Sequence, residues 1–115
     1  MANKITVTGI ALFLMVAIPG FYSHAQAQSD AASLLAQANA LMESKDYQQA
    51  EPLYRSIVTN WPGTDEAFTA QKSLAIIYIA TVKYAAAQTE VDALIAGFAD
   101  HPQLPAALYE VANQY

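Results

Sequence analysis

One histidine beside a proline, two close pairs of acids and a scatter of serines are the groups of this chain that could do chemistry. His101 would be a general base or a metal ligand. Asp65 with Glu66, or Glu90 with Asp92, would be paired carboxylates, and Ser29, Ser33, Ser44, Ser56 or Ser73 a nucleophile. Their spacing supports none of these roles. His24 belongs to the N-terminal leader described below, so His101 stands alone in a turn and reads as a solvated or satisfied turn residue. Adjacent residues on a helix do not face each other, and the positive end of a helix dipole accounts for acids at 65 and 66. Glu90 and Asp92 read as a solvated face. No serine has a His or Lys at motif spacing, and there is no glycine-rich phosphate loop. With no cysteine, disulfides, thiol nucleophiles and zinc-thiolate sites are excluded. The residues predict no catalytic site, no cofactor and no metal.

Bulk properties narrow the classes further. The 115 residues are 55% hydrophobic and 13% charged, with a formal charge of −5 and a pI near 4.6. One domain fits that length. Such a charge opposes any broad attraction to nucleic acid or anionic lipid, which require clustered Lys and Arg.

At the N-terminus Lys4 is the only charge before Asp30. Residues 5–18, ITVTGIALFLMVAI, form an apolar core that Pro19-Gly20 interrupts, and Ala25-Gln26-Ala27 is a small-x-small cleavage site. This order is that of a secretory signal peptide. Even extended through Phe21-Tyr22, with Pro19-Gly20 inside it, the run barely reaches the roughly 18 residues needed to span a bilayer, so cleavage after Ala27 is expected rather than retention as an anchor. The domain would then be residues 28–115, exported to the periplasm or medium, with no stable membrane anchor.

The elements that must position any site come from an internal repeat of 37 residues. Ala38, Ala75 and Ala112 are so related, as are Leu41, Tyr78 and Tyr115. Tyr47 and Ala50 recur as Tyr84 and Ala87, Tyr54 and Ile57 as Val91 and Leu94, and Trp61 as Phe98. Leu34, Ala38, Leu41 and Met42 fall at i, i+4, i+7 and i+8, as do Gln71, Ala75, Tyr78 and Ile79, which marks one stripe along a helix. Residues 44–46 and 81–83 separate these helices from second ones. Each repeat therefore reads as a helical hairpin, repeat 1 over about 31–63, repeat 2 over about 64–101 and a partial third over about 102–115. Pro62-Gly63 ends one unit, Thr64 caps the next, and Pro105 suits the first turn of a last helix. Small residues facing each other at 38 and 50, or 75 and 87, allow close helix approach. Tyr47, Tyr54, Tyr78 and Tyr84 read as core with hydroxyls at the rim, Trp61 as the plug of the joint.

The series Leu34, Ala38, Leu41, Asp46-Tyr47, Ala50, Tyr54 and Pro62 resembles the tetratricopeptide repeat in its order of large, small, large, turn aromatic, small, aromatic and closing proline. The second unit resembles it too, with Val91 at the usual aromatic position and Pro102 three residues late. The resemblance covers residues 31–115 and is to the variants common in exported bacterial proteins. It implies an all-α fold of stacked antiparallel hairpins in a right-handed solenoid of about two and a half repeats, and a non-catalytic scaffold that binds other proteins or peptide segments. The inner positions it implies are Leu35, Asn39 and Met42, then Lys72, Ile76 and Ile79, then Tyr109 and Asn113. Basic and amide groups for clamping a peptide carboxylate are sparse, Lys72 with Asn39 and Asn113, so an apolar or extended segment is the expected ligand; the alternative is that these residues bury against a further helix. The last helix, through Leu108, Val111, Ala112 and Tyr115, is expected to pack on residues 84–99 and to leave a flank with Tyr109 for self-association. The alternative reading is an N-terminal portion of a longer envelope protein whose activity lies beyond residue 115.

Overall fold

A computed structural model describes the backbone from Pro19 and the side chains from Asp30 to Tyr115. The apolar leader sequence, residues 5–18, lies outside the described residues. Five helices follow in order: α1 (Pro19–Glu43), α2 (Tyr47–Asn60), α3 (Asp65–Ala80), α4 (Tyr84–Gly97) and α5 (Leu104–Ala112). Among the described residues there is no strand, and no helix is long and apolar enough to cross a membrane. Residues 31–115 form one compact unit, made up of the stacked helices. α1 is helical from Pro19, well before the start expected at 31, and the cleavage point after Ala27 falls within it.

The 37-residue period is a period of backbone geometry. α2 and α4 have bounds that differ by 37, and α1 and α3 end at Glu43 and Ala80, again 37 apart. Both hairpin turns close by the same pair of bonds. The amide of Asp46 donates to the Leu41 carbonyl (2.8 Å) and that of Lys45 to Met42 (3.0 Å); Lys83 donates to Tyr78 (2.6 Å) and Val82 to Ile79 (3.0 Å). This is a Schellman closure, which satisfies the last carbonyls of a helix and places its C′ residue in the left-handed region. Lys45 and Val82 hold φ of 62° and 60° there.

Packing follows the periodic stripe. Ala38 of α1, Ala50, Tyr54 and Ile57 of α2, and Ala70, Leu74 and Ile77 of α3 form one buried cluster. Ala75 and Ile79 of α3 meet Ala87 of α4 and Val111 of α5 in a second. Phe68 of α3, Leu94 of α4, and Leu104 and Ala107 of α5 form a third. Each helix thus buries its apolar stripe against at least two neighbours, and α3 contributes to all three clusters, which is how an array of hairpins, none able to bury its own face, becomes stable.

Several sequence expectations need correction. Glu90 is not on a solvated face: it is buried, takes one hydrogen bond and ion pair from Arg55 of α2 through Oε1, and another from the Gln71 amide of α3 through Oε2. Arg55 also donates to the Tyr78 hydroxyl (3.0 Å). Glu90 lies three residues after Ala87 and four before Leu94, on the buried stripe of α4, so its carboxylate needs partners and finds them on two other helices. The pairing pushes the Arg55 guanidinium above its ordinary pKa, chiefly through the hydrogen bond to Glu90. Tyr84 is half exposed rather than core, and Tyr115 is more so, although their rings stack at 5.8 Å. Ala112 is exposed, unlike its periodic equivalents Ala38 and Ala75. α5 packs on α3 as well as on α4, because its buried residues fill the furrow between them.

The two joints between hairpins differ in chemistry. At residues 61–64, Gly63 takes φ 78° and Thr64 caps α3 by accepting from the Ala67 amide (3.1 Å). Asp65 and Glu66 follow in the first turn of α3, where the helix dipole favours them. At residues 98–103 no side chain of the N-cap residue does this. His101 takes over: its Nδ1 accepts from the Gln103 amide (3.1 Å), its Nε2 meets Asp65 (3.0 Å), and its ring stacks on Phe68 at 3.9 Å. The residue expected to be a solvated turn histidine is mostly buried. It ties the start of α3 to the start of α5.

Candidate protein-binding groove

The first helices of successive hairpins, α1, α3 and α5, line a groove made of two adjoining basins. One basin, of about 290 Å³, is lined by Asn39, Met42 and Glu43 of α1, Tyr54 of α2, Thr69, Lys72, Ser73 and Ile76 of α3, and Glu110 of α5. The other, of about 490 Å³, is lined by Asp65, Phe68, Thr69 and Lys72 of α3, His101, Pro102 and Gln103 of the joint, and Ala106, Ala107 and Glu110 of α5. Thr69, Lys72 and Glu110 are common to both. Lys72 Nζ and Glu110 Oε2, 2.9 Å apart, form an ion pair from α3 to α5 that bars the groove between its basins.

The floor of the smaller basin is polar and fixed. Tyr54 is fully buried, and its hydroxyl donates to Asn39 Oδ1 (2.6 Å). Burial pushes the Tyr54 hydroxyl pKa up; a hydrogen bond with Ser73 lowers it, and the Glu43 charge raises it. With one lone pair of Oδ1 taken by Tyr54, Asn39 has its amide nitrogen to donate and a second lone pair to accept.

Of the eight inner positions expected from the sequence, the groove brings together four: Asn39, Met42, Lys72 and Ile76. Leu35 is partly buried against the first cluster. Ile79 is buried in the second cluster with Ala75, Ala87 and Val111, so its placement on the inner face is wrong; residue 79 lies one turn past the groove and faces α4 and α5. Tyr109 and Asn113 are exposed and line neither basin. Asn113 continues by spacing the row of Gln103, Ala106 and Glu110 but lies one turn past the basins. Sequence reasoning missed Glu43, Thr69, Ser73, Glu110 and the whole joint around His101. Thr69 lies at i−3 of Lys72, and Ser73 at i+4 of Thr69 and i−3 of Ile76, a helical spacing that could have marked them. Nothing in the sequence brings Asp65 to His101.

Two comparisons, with curated proteins and with solved structures, return no match. A family model for the tetratricopeptide repeat matches residues 23–65 and 35–105. The match spans both hairpins and enters α5, and with their 37-residue period and small facing residues it leaves one assignment: the chain belongs to the tetratricopeptide repeat family.

Proposed function

We propose that this chain is an exported, non-catalytic interaction module that holds an extended segment of another protein in the groove of α1, α3 and α5. Tetratricopeptide repeats serve as protein-binding scaffolds, and the observation that carries the finer reading is the groove itself. Two contiguous basins join the inner helices of all the hairpins, and apolar Met42 and Ile76 lie beside the donor amide of Asn39. Extended peptides bind through such alternation of side-chain pockets and main-chain hydrogen bonds. Export rests on the leader sequence, the absence of a reaction on the poverty of groups at catalytic spacing.

The test is competition at defined positions. A peptide that binds the full chain should lose most of its affinity when Ile76→Glu places a charge in the smaller basin, and keep it when Gln88→Glu is made on the exposed part of α4. Equal effects would remove the groove as the site.

α5 favours a second contact. Tyr109 is 71% exposed and Ala112 is exposed, whereas a small residue at the same repeat position is fully buried in both preceding units. Self-association through this flank is the reading it supports. Sedimentation equilibrium should show a dimer or larger species at micromolar concentration that Tyr109→Glu shifts towards monomer; a monomer in both cases would dismiss it.

A further inference from the structure

We infer that the partner segment is cationic: the groove selects an extended stretch in which Lys or Arg accompanies an aliphatic residue. This rests on the groove being the binding site, and adds the charge class of what enters it. Between residues 28 and 115 the chain has only Lys45, Arg55, Lys72 and Lys83 as permanent cations, and the fold keeps three of them out of the groove. Lys45 and Lys83 are at the hairpin turns, neither lining a groove basin. Arg55 is tied to buried Glu90 on the side of α2, α3 and α4. The carboxylates are distributed differently. Glu43 lines one basin, Asp65 the other, and Glu110 stands in both.

Lys72 is the one lining cation, and its ammonium is held by Glu110 at 2.9 Å. An anionic segment would have to displace Glu110 from Lys72 and then lie between Glu43 and Asp65, so like-charge repulsion would meet it in both basins. A cationic side chain meets the reverse. The Asp65 carboxylate is 91% exposed although it also meets His101, and Glu110 is about half exposed beside Lys72. Both keep oxygen lone pairs for a second donor. Met42 and Ile76, in the same basin as Glu43, supply apolar contact for the aliphatic stem of a Lys or Arg, or for its neighbour.

The experiment is selection of a random dodecapeptide phage library on the full chain, followed by titration of the selected peptides. The variants are Glu43→Gln with Asp65→Asn and Glu110→Gln, and Lys72→Met alone. The three acids are exposed and Lys72 is partly buried, and a thermal melt of each variant reports that the fold is kept. The expected result is enrichment of Lys and Arg next to aliphatic residues, affinity that falls with salt, and a loss of about two- to fivefold per carboxylate removed. Enrichment of Asp and Glu, with binding lost in Lys72→Met, would overturn the cationic assignment and leave the groove as the site. Binders insensitive to both variants, or no enrichment above background, would overturn the groove along with it.

Discussion

In the first hairpin a buried tyrosine donates to an asparagine across the helices, Tyr54 to Asn39. In the second, 37 residues on, the same positions hold Val91 and Ile76, which pack as partly buried apolar residues against the cluster of Ala75, Ile79, Ala87 and Val111. The exchange is paired: where the aromatic hydroxyl is gone, its acceptor is gone too. Position 53 shows the reverse exchange, a partly buried Leu53 becoming buried Glu90, whose partners Arg55 and Gln71 lie on neighbouring helices. The hairpins share a backbone because small residues and turns fix it, while polar groups change in sets that leave no buried atom unpaired. Among the described residues no buried side-chain nitrogen or oxygen lacks a partner. An unpaired one would cost about 1–3 kcal/mol.

The largest test of that contrast removes the side chains that differ. Tyr54→Ala empties a fully buried aromatic site and should cost about 3–5 kcal/mol, the range for a large core aromatic cut to alanine. Val91→Ala, at a partly buried site, should cost about 1–2 kcal/mol. Denaturant unfolding of the two variants measures both. Similar losses would mean that the hairpins carry equal weight at this position despite their chemistry.

A smaller effect separates the hydroxyl from the ring. Burial raises the Tyr54 pKa above its ordinary value of 10.0, so above pH 10 the unfolded chain gives up this proton while the folded one keeps it. Stability from this group is complete below the unfolded pKa and is lost as pH rises through the folded one. Tyr54→Phe should therefore flatten the alkaline fall in stability and, at neutral pH, lose about 1 kcal/mol with the bond to Asn39. Thermal melts from pH 8 to 11 would show it. An unchanged alkaline slope would assign that fall to other tyrosines.

How far the sequence reveals this fold depends on whether a residue's partner is local. The period, the hairpins, the Thr64 cap and the buried alanines at 38, 75, 50 and 87 depend on neighbours within a turn or one repeat away, and spacing exposes them. Ile79 misleads because its position in the repeat says only which residues share a helix face. Where α5 lands decides whether that face is groove or core. Glu90 misleads because an acid at a stripe position reads as polar surface until Arg55, 35 residues earlier, is known to reach it. His101 is a turn residue by its neighbours and a structural tie by Asp65 and Phe68, and no local pattern announces that contact. Only part of the groove's lining was legible for the same reason: Asn39, Met42, Lys72 and Ile76 of the smaller basin follow from repeat position, but Glu43, Thr69, Ser73 and Glu110, and the whole larger basin around His101, depend on how adjacent helices lean together.

The smallest expected effect lies in the turns, where the hairpins match in geometry and differ in strain. Lys45 and Val82 both occupy the left-handed region at the C′ position of a Schellman closure, a place glycine fills at no steric cost. A side chain there costs about 1–2 kcal/mol, with a β-branched one at the upper end because its second γ-carbon crowds the backbone. Val82 gains nothing in return from burial, being 68% exposed. Replacing either residue by glycine relieves the strain and enlarges the entropy of the unfolded chain, an opposing term of about 0.5–1 kcal/mol. Val82→Gly should therefore stabilise by about 0.5–1 kcal/mol, raising the thermal midpoint by about 3–6 °C, while Lys45→Gly should come out near zero because relief and entropy nearly cancel. A larger gain at 45 than at 82 would show that Val82 is held in place by contacts outweighing its strain, and the second hairpin would then be the better built of the two at its turn.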